Sequence, residues 1–255
     1  MQEEEQGVYI FCGTQTDQED DFGTIEVEGE ERDVYVIRYK DAAIVAATVP
    51  MKIYTPKKDN LLMHQKMVSN VMAQKDAVIP ISFGNVFKSK GDVKVLLEKL
   101  YPQFEKLFPE ISGKVELGLK VIAKQEYIGS IVKKDTNLQK MAKEVEGKNK
   151  DAAYFDRMKL GEASEKLMNN IRKDIENDIY APLEKISTAS KVNEPQSEKM
   201  LLNAAFLLDQ AKEKTFDEKV NELYEKWEGK VDFKYTGPWA AYNFVNIRLN
   251  IEDSQ

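Results

Sequence analysis

Apolar and polar positions change period repeatedly along this chain, and those changes predict its elements. Gly7 to Cys12 is almost continuously apolar and predicts a strand. Val34 to Tyr39 is rich in β-branched and aromatic residues, and Ala42 to Val49 reads as a strand buried on both faces. The Lys40-Asp41 pair between them predicts a hairpin turn. Asn60 to Lys75 predicts a helix with Leu61, Val68, Val71 and Met72 on one stripe. Val78 to Ile81 predicts a short strand that ends in a turn at Phe83-Gly84.

Ser89-Lys90-Gly91-Asp92 has the form of a capping box. Behind it Val93, Leu96, Leu97, Leu100, Phe104, Leu107 and Phe108 recur at helical spacing, with Pro102 expected to kink or split the helix. Pro109 to Gly113 ends that helix and is the expected domain boundary, giving an N-terminal α+β domain of residues 1–112 and a C-terminal one of 113–255. Val115, Leu117, Leu119 and Val121 then alternate with Glu116, Gly118 and Lys120, as in a strand with one solvated face.

Gln125 to Glu146 is charged and helical in pattern, and Gly147 to Asp151 is a polar break. A long helix is expected from about 152 to 182, with Met168, Ile171, Ile175 and Ile179 as its apolar stripe. Ser187 to Lys199 reads as a loop, and Leu201 to Leu208 as an apolar strand. Thr215-Phe216-Asp217-Glu218 reads as a second capping box, opening a helix that buries Phe216, Val220, Leu223, Tyr224 and Trp227. Val231, Phe233 and Tyr235 predict a strand, Gly237-Pro238 a turn, and Val245, Ile247 and Leu249 a last strand. The order suits two α+β domains, each an antiparallel or mixed sheet with helices packed on it, at least one of them ferredoxin-like.

Composition narrows the function. The 255 residues include 42% hydrophobic and 32% charged side chains, enough for a core and a solvated surface. The net charge of −7, from 37 basic and 44 acidic residues, disfavours nucleic-acid binding, which depends on neutralising phosphates. Ile81 to Phe87 has only a superficial likeness to an RNA-stacking motif, since Ile81, Ser82 and Asn85 stand where basic, glycine and aromatic residues are required. The acidic start, Glu3 to Glu5, is not a secretion signal, and no run approaches the ~18 apolar residues of a membrane span. The expectation is a soluble, cytoplasmic protein with no lipid-membrane partner.

The residues that carry catalysis are sparse. Cys12 is the single cysteine and His64 the single histidine, both read as structural. They form no zinc site and no convincing dyad. No phosphate-binding glycine loop and no G-x-S-x-G serine is present. The acidic runs Asp17 to Asp21 and Glu28 to Glu31 miss calcium-loop spacing and read as solvated loops. No catalytic residue, metal site or cofactor is expected.

Three segments give a positive lead. Val78-Ile79-Pro80-Ile81-Ser82-Phe83-Gly84-Asn85-Val86-Phe87 resembles the V-x-P-x-x-F-G-x-x-F signature of the GvpF/GvpL family of gas vesicle proteins. Gly113 to Lys120 is similar to that family's G-K-x-E-x-x-x-K strand. Gly237-Pro238-Trp239-Ala240-Ala241-Tyr242-Asn243-Phe244-Val245 resembles its C-terminal G-P-W-P-P-Y-S-F-V, with Ala240, Ala241 and Asn243 replacing two prolines and a serine. His64 stands where the family usually has a histidine, and Asn203 to Leu208 resembles the strand before the last motif. The likeness runs in order from about Val8 to Leu249, and is closer to the F branch of bacilli than to the L branch.

The resemblance implies a non-catalytic accessory or minor component of gas vesicles. Such a protein would bind the hydrophobic shell subunit GvpA, and possibly other accessory proteins, and assist nucleation or assembly in a chaperone-like way. Trp239, Tyr242 and Phe244 are the candidate protein-binding residues. The alternative is an enzyme or small-molecule binder that uses a cleft between domains.

Overall fold

In the computed structural model, residues 5–146 and 153–247 are described. They form two compact units: the described residues up to Glu116 with those from Pro238, and Leu117–Gly237. The architecture is mixed α+β, with two sheets.

The first unit opens with strand β1 (Gln6–Gln15), a hairpin of β2 (Thr24–Val27) and β3 (Glu30–Tyr39), and β4 (Ala42–Pro50). Helix α1 (Lys58–Met72), the short strands β5 (Val78–Pro80) and β6 (Val86–Phe87), and helix α2 (Lys90–Ile111) follow. Sheet order is β2-β3-β4-β1-β5, with β6 also paired to β1. Both long pairings of β4, to β1 and to β3, are antiparallel. The expected turn at Lys40-Asp41 joins β3 to β4, in register at Tyr39 and Ala42.

β4 is buried along nearly its whole length, as a continuously apolar strand should be. On one face, Tyr9, Phe11, Val45 and Ala47 share a core with Met67, Val68 and Val71 of α1. On the other, Phe104 of α2 lies over Gly13: a β-carbon there would sit 2.4 Å from the ring.

Several sequence expectations needed correction. The buried face of α1 is His64, Met67, Val68 and Val71, while Leu61 is exposed. Helix α2 is not split at Pro102, and it ends at Ile111, inside the Pro109 to Gly113 segment expected to end it. An interior proline costs ~3 kcal/mol, and the burial of Val93, Leu97, Leu100, Phe104, Phe108 and Ile111 offsets it. The cap at Ser89 is real, since the Asp92 amide donates to its hydroxyl at 3.1 Å. The loop of Asp17 to Asp21 is not wholly solvated, because Asp20 is largely covered and pairs with Lys75 at 2.7 Å.

The second unit contains most of β7 (Lys114–Ala123), then α3 (Gln125–Lys134), α4 (Thr136–Glu146) and α5 (Tyr154–Ile175). After α5 come a π-helical turn (Glu176–Tyr180), α6 (Ala181–Glu184), β8 (Ala189–Val192), β9 (Met200–Asp209), α7 (Glu213–Trp227) and β10 (Val231–Trp239). Its sheet order is β10-β7-β9-β8.

The long helix expected over 152–182 is α5, the π turn and α6 in succession. The buried residues Ile171, Ile175, Ile179 and Leu183 recur every fourth position. Four residues overrun an α-helical turn by roughly 40°, so such a stripe drifts around the helix. A wider π turn takes up that drift.

Residues 125–146 are helical as expected, divided into α3 and α4. Other readings in this unit changed. The expected loop at Ser187 to Lys199 contains β8, an edge strand whose polar composition hid it. Thr215 lies inside α7 and does not cap it, because a 3₁₀ turn at Gln210–Lys212 leads directly into the helix. Gly237-Pro238 continues β10 and is not a turn. Val245 and Ile247 lie outside any strand, and Leu249 lies outside the described residues.

Candidate functional site

The turn between β5 and β6 is built from the first signature segment. Strand β5 pairs with β1 through Cys12 to Thr14, and β6 pairs with Val8 and Tyr9. Residues 81–85 must therefore loop out and return to the same strand. Gly84 makes this possible, with φ 92, where a side chain would be strained.

Two buried polar residues hold the loop. The amide of Gly84 donates to the Tyr9 hydroxyl at 3.0 Å. Tyr9 Oη lies 3.0 Å from His64 Nδ1, and His64 Nε2 lies 3.0 Å from the carbonyl oxygen of Ile81. A carbonyl can only accept, so Nε2 carries the proton, Nδ1 accepts, and the Tyr9 hydroxyl donates to it. His64 is thus a neutral, fully used structural histidine, 4% exposed. Burial pushes its pKa below the usual histidine value, partly opposed by the bond to Ile81. Burial likewise pushes Tyr9 up to about 12. Cys12 is fully buried, and its thiol pKa is driven up by the same desolvation.

The third signature segment is held by the second. Glu116, on β7, is 4% exposed, although the strand's alternation places it on the solvated side. Its carboxylate accepts the Asn243 amide N–H at 2.7 Å and the Asn243 side-chain amide at 2.6 Å. Residues 240–245 close into one helical turn, with Phe244 and Val245 donating to the carbonyl of Ala241. Ala240 is buried in the core of the first unit. Sequence reasoning missed Glu116. Its signal was an acid inside a strongly apolar strand, within the quoted G-K-x-E pattern.

These two anchored segments wall one groove of about 370 Å³. Pro80 and Phe87 form one side, Leu96 and Leu100 of α2 another, and Tyr242 and Val245 the third. Tyr242 is 43% exposed, yet desolvation pushes its pKa up to about 12. Of the three expected binding residues, Tyr242 lines this groove. Trp239 and Phe244 are half-buried and do not line it. Phe83 packs against the core around Tyr9 and His64, not into the groove.

Among the described residues, no lining side chain other than Tyr242 is titratable. Among the described residues, no group of three or more His, Cys, Asp or Glu side chains is placed to hold a metal ion. No helix among them is long and apolar enough to cross a membrane.

Fold and groove thus define a mixed α+β protein whose signature segments build one surface of apolar and neutral polar side chains. A family model for the gas vesicle synthesis protein GvpL/GvpF matches residues 7–246, and the chain belongs to that family. Gas vesicle protein F of Haloferax mediterranei is 24% identical over 231 residues, covering 90% of this chain and 89% of the relative. The crystal structure of GvpF from Anabaena sp. PCC7120 superposes with a TM-score of 0.81 at 21% identity, covering 96% of this chain and all of that one. That of GvpF from Microcystis aeruginosa gives 0.76 at 18% identity, covering 93% and 98%. At these identities the structural likeness speaks for the fold.

Proposed function

We propose that this protein is a non-catalytic accessory or minor component of gas vesicles that binds the hydrophobic shell protein GvpA and assists its nucleation or assembly. It would act in the cytoplasm and at the vesicle. The observation that carries the reading is the groove walled by the Pro80–Phe87 and Tyr242–Val245 segments, where apolar side chains are interspersed with Ser82, Asn85 and Asn246. A subunit with exposed apolar β surface aggregates through it, and a folded partner can cover that surface. Among the described lining residues Tyr242 is the one titratable group, which favours binding over chemistry.

The same reading takes the two compact units as domains. The strand order β10-β7-β9-β8, with helices in the β7–β8 and β9–β10 connections, supports a ferredoxin-like second unit.

Co-expression tests the function. The protein is expected to keep GvpA in the soluble fraction and to suppress its light scattering. Leu96→Glu and Tyr242→Ala, both at partly exposed lining positions, are expected to lose that effect while keeping the wild-type unfolding midpoint. Wild-type protein that neither binds GvpA nor lowers its scattering would sink the reading. Variants as active as wild type would move the contact away from this groove.

A further inference from the structure

A second groove, of about 470 Å³, lies in the first unit between β2 and α1. Its strand side is Thr24, Ile25 and Glu26, and its helix side includes Leu62, Met63 and Met67. Among the described residues β2 is an edge strand, paired only with β3 in the register Thr24–Asp33 to Val27–Glu30. The turn between them is the two-residue Glu28–Gly29, with φ 57 and 83. In such a hairpin the pair beside the turn exchanges both hydrogen bonds, and the pattern alternates away from it. Val27 and Ile25 therefore bond to β3, and the backbone N–H and C=O of Thr24 and Glu26 point to the open edge. Among the described residues, no backbone hydrogen bond reaches them from that side.

A row of open amides beside a helix wall that mixes Leu62, Met63 and Met67 with Asp59, Lys66 and Asn70 selects its occupant. A lipid or a helix would leave the strand's donors and acceptors unmatched, whereas an extended chain satisfies them. Leu62 is 38% exposed and Met63 half-buried, so side chains at alternate positions of an added strand would meet apolar surface. Among the described residues, the rim carries Glu26 and Asp59 against one cation, Lys66. Neither acid has an ion-pair partner among the described residues, while neighbouring Glu28 and Glu30 pair with Lys52 and Arg32.

We infer that this groove binds an extended segment of another protein as a strand added to β2. The segment would be apolar at alternate positions and carry lysine or arginine where it passes Glu26 and Asp59. The inference does not depend on the groove at Tyr242 or on the identity of the shell subunit.

The test uses the full chain and a short blocked peptide of alternating valine and lysine. Titration followed by NMR is expected to shift and protect the amides of Thr24 and Glu26. Glu26→Pro removes one outward N–H, a change that edge strands tolerate. Leu62→Glu charges the helix wall at an exposed position. Each is expected to weaken binding about tenfold or more, with the unfolding midpoint kept, while Tyr242→Ala binds normally. A peptide with the same side chains but N-methylated at alternate amides should fail to bind. Equal binding by that peptide would overturn strand addition in favour of charge attraction alone, and equal binding by Glu26→Pro, which loses the N–H and a carboxylate together, would overturn the assignment of the segment to this edge. Self-association of the chain that Glu26→Pro abolishes would also overturn it, making a second copy the occupant.

Discussion

His64 spends both ring nitrogens on the fold, accepting from Tyr9 and donating to Ile81. His64→Phe strands the Ile81 carbonyl and the Tyr9 hydroxyl in a buried place. The expected cost is about 1–3 kcal/mol, read as a lower urea midpoint. The sign of the pH effect follows from the lowered pKa. The folded state prefers the neutral ring, so the unfolded chain takes up the proton first. The stability from this residue is complete above the unfolded pKa of about 6.5 and falls as pH drops below it towards the folded value. The gap in stability between wild type and His64→Phe should narrow from pH 7 to pH 5, and a constant gap would refute the neutral-ring assignment. Glu116 makes the matching anchor for Asn243. Glu116→Ala leaves two amide donors without their acceptor and should cost about 1–3 kcal/mol. Hydrogen exchange at residues 240–245 should quicken more than in the strands, whereas uniform loosening would refute a local anchor.

At the scale of elements, periodicity revealed strands and helices but not their interruptions. β1, β4 and β9 are long apolar runs and α2 has a long apolar stripe, and each lies close to its expected place. β8 escaped because an edge strand needs only one neighbour and tolerates polar residues on both faces. Pro102 does not split α2, because its local cost is outweighed by burial that only packing supplies. Gly13 shows the reverse: a residue with no local signal fixes the fit of α2 on the sheet. Gly13→Ala would place a methyl 2.4 Å from Phe104 Cε2, a fully buried ring. Overpacking of this kind costs ~1–3 kcal/mol. Calorimetry should show a lower Tm, and Phe104→Leu in the same chain should recover part of the loss. An unchanged Tm would mean that α2 can lift off the sheet freely.

At the scale of the whole molecule, the segment from Pro238 onward completes the first unit. Ala240 enters its core, Asn243 binds Glu116, and Tyr242 with Val245 closes one wall of the groove. A chain ending at Trp239 should therefore lose more stability than Glu116→Ala, because it forfeits core burial as well as two hydrogen bonds. Denaturant titration of both variants checks this, and equal midpoints would mean that the tail is held by Glu116 alone. The sequence by itself determined the α+β class, most of the long elements, the paucity of catalytic groups and the likeness to a family of gas vesicle proteins. Those properties are local, being written in periodicity, composition and ordered motifs. Only the tertiary structure decided that Glu116 is buried, that Tyr242 but not Trp239 or Phe244 lines the groove, and that segments some 160 residues apart share one surface. Which residues meet depends on strand pairing and helix packing between distant parts of the chain, and no local pattern encodes that.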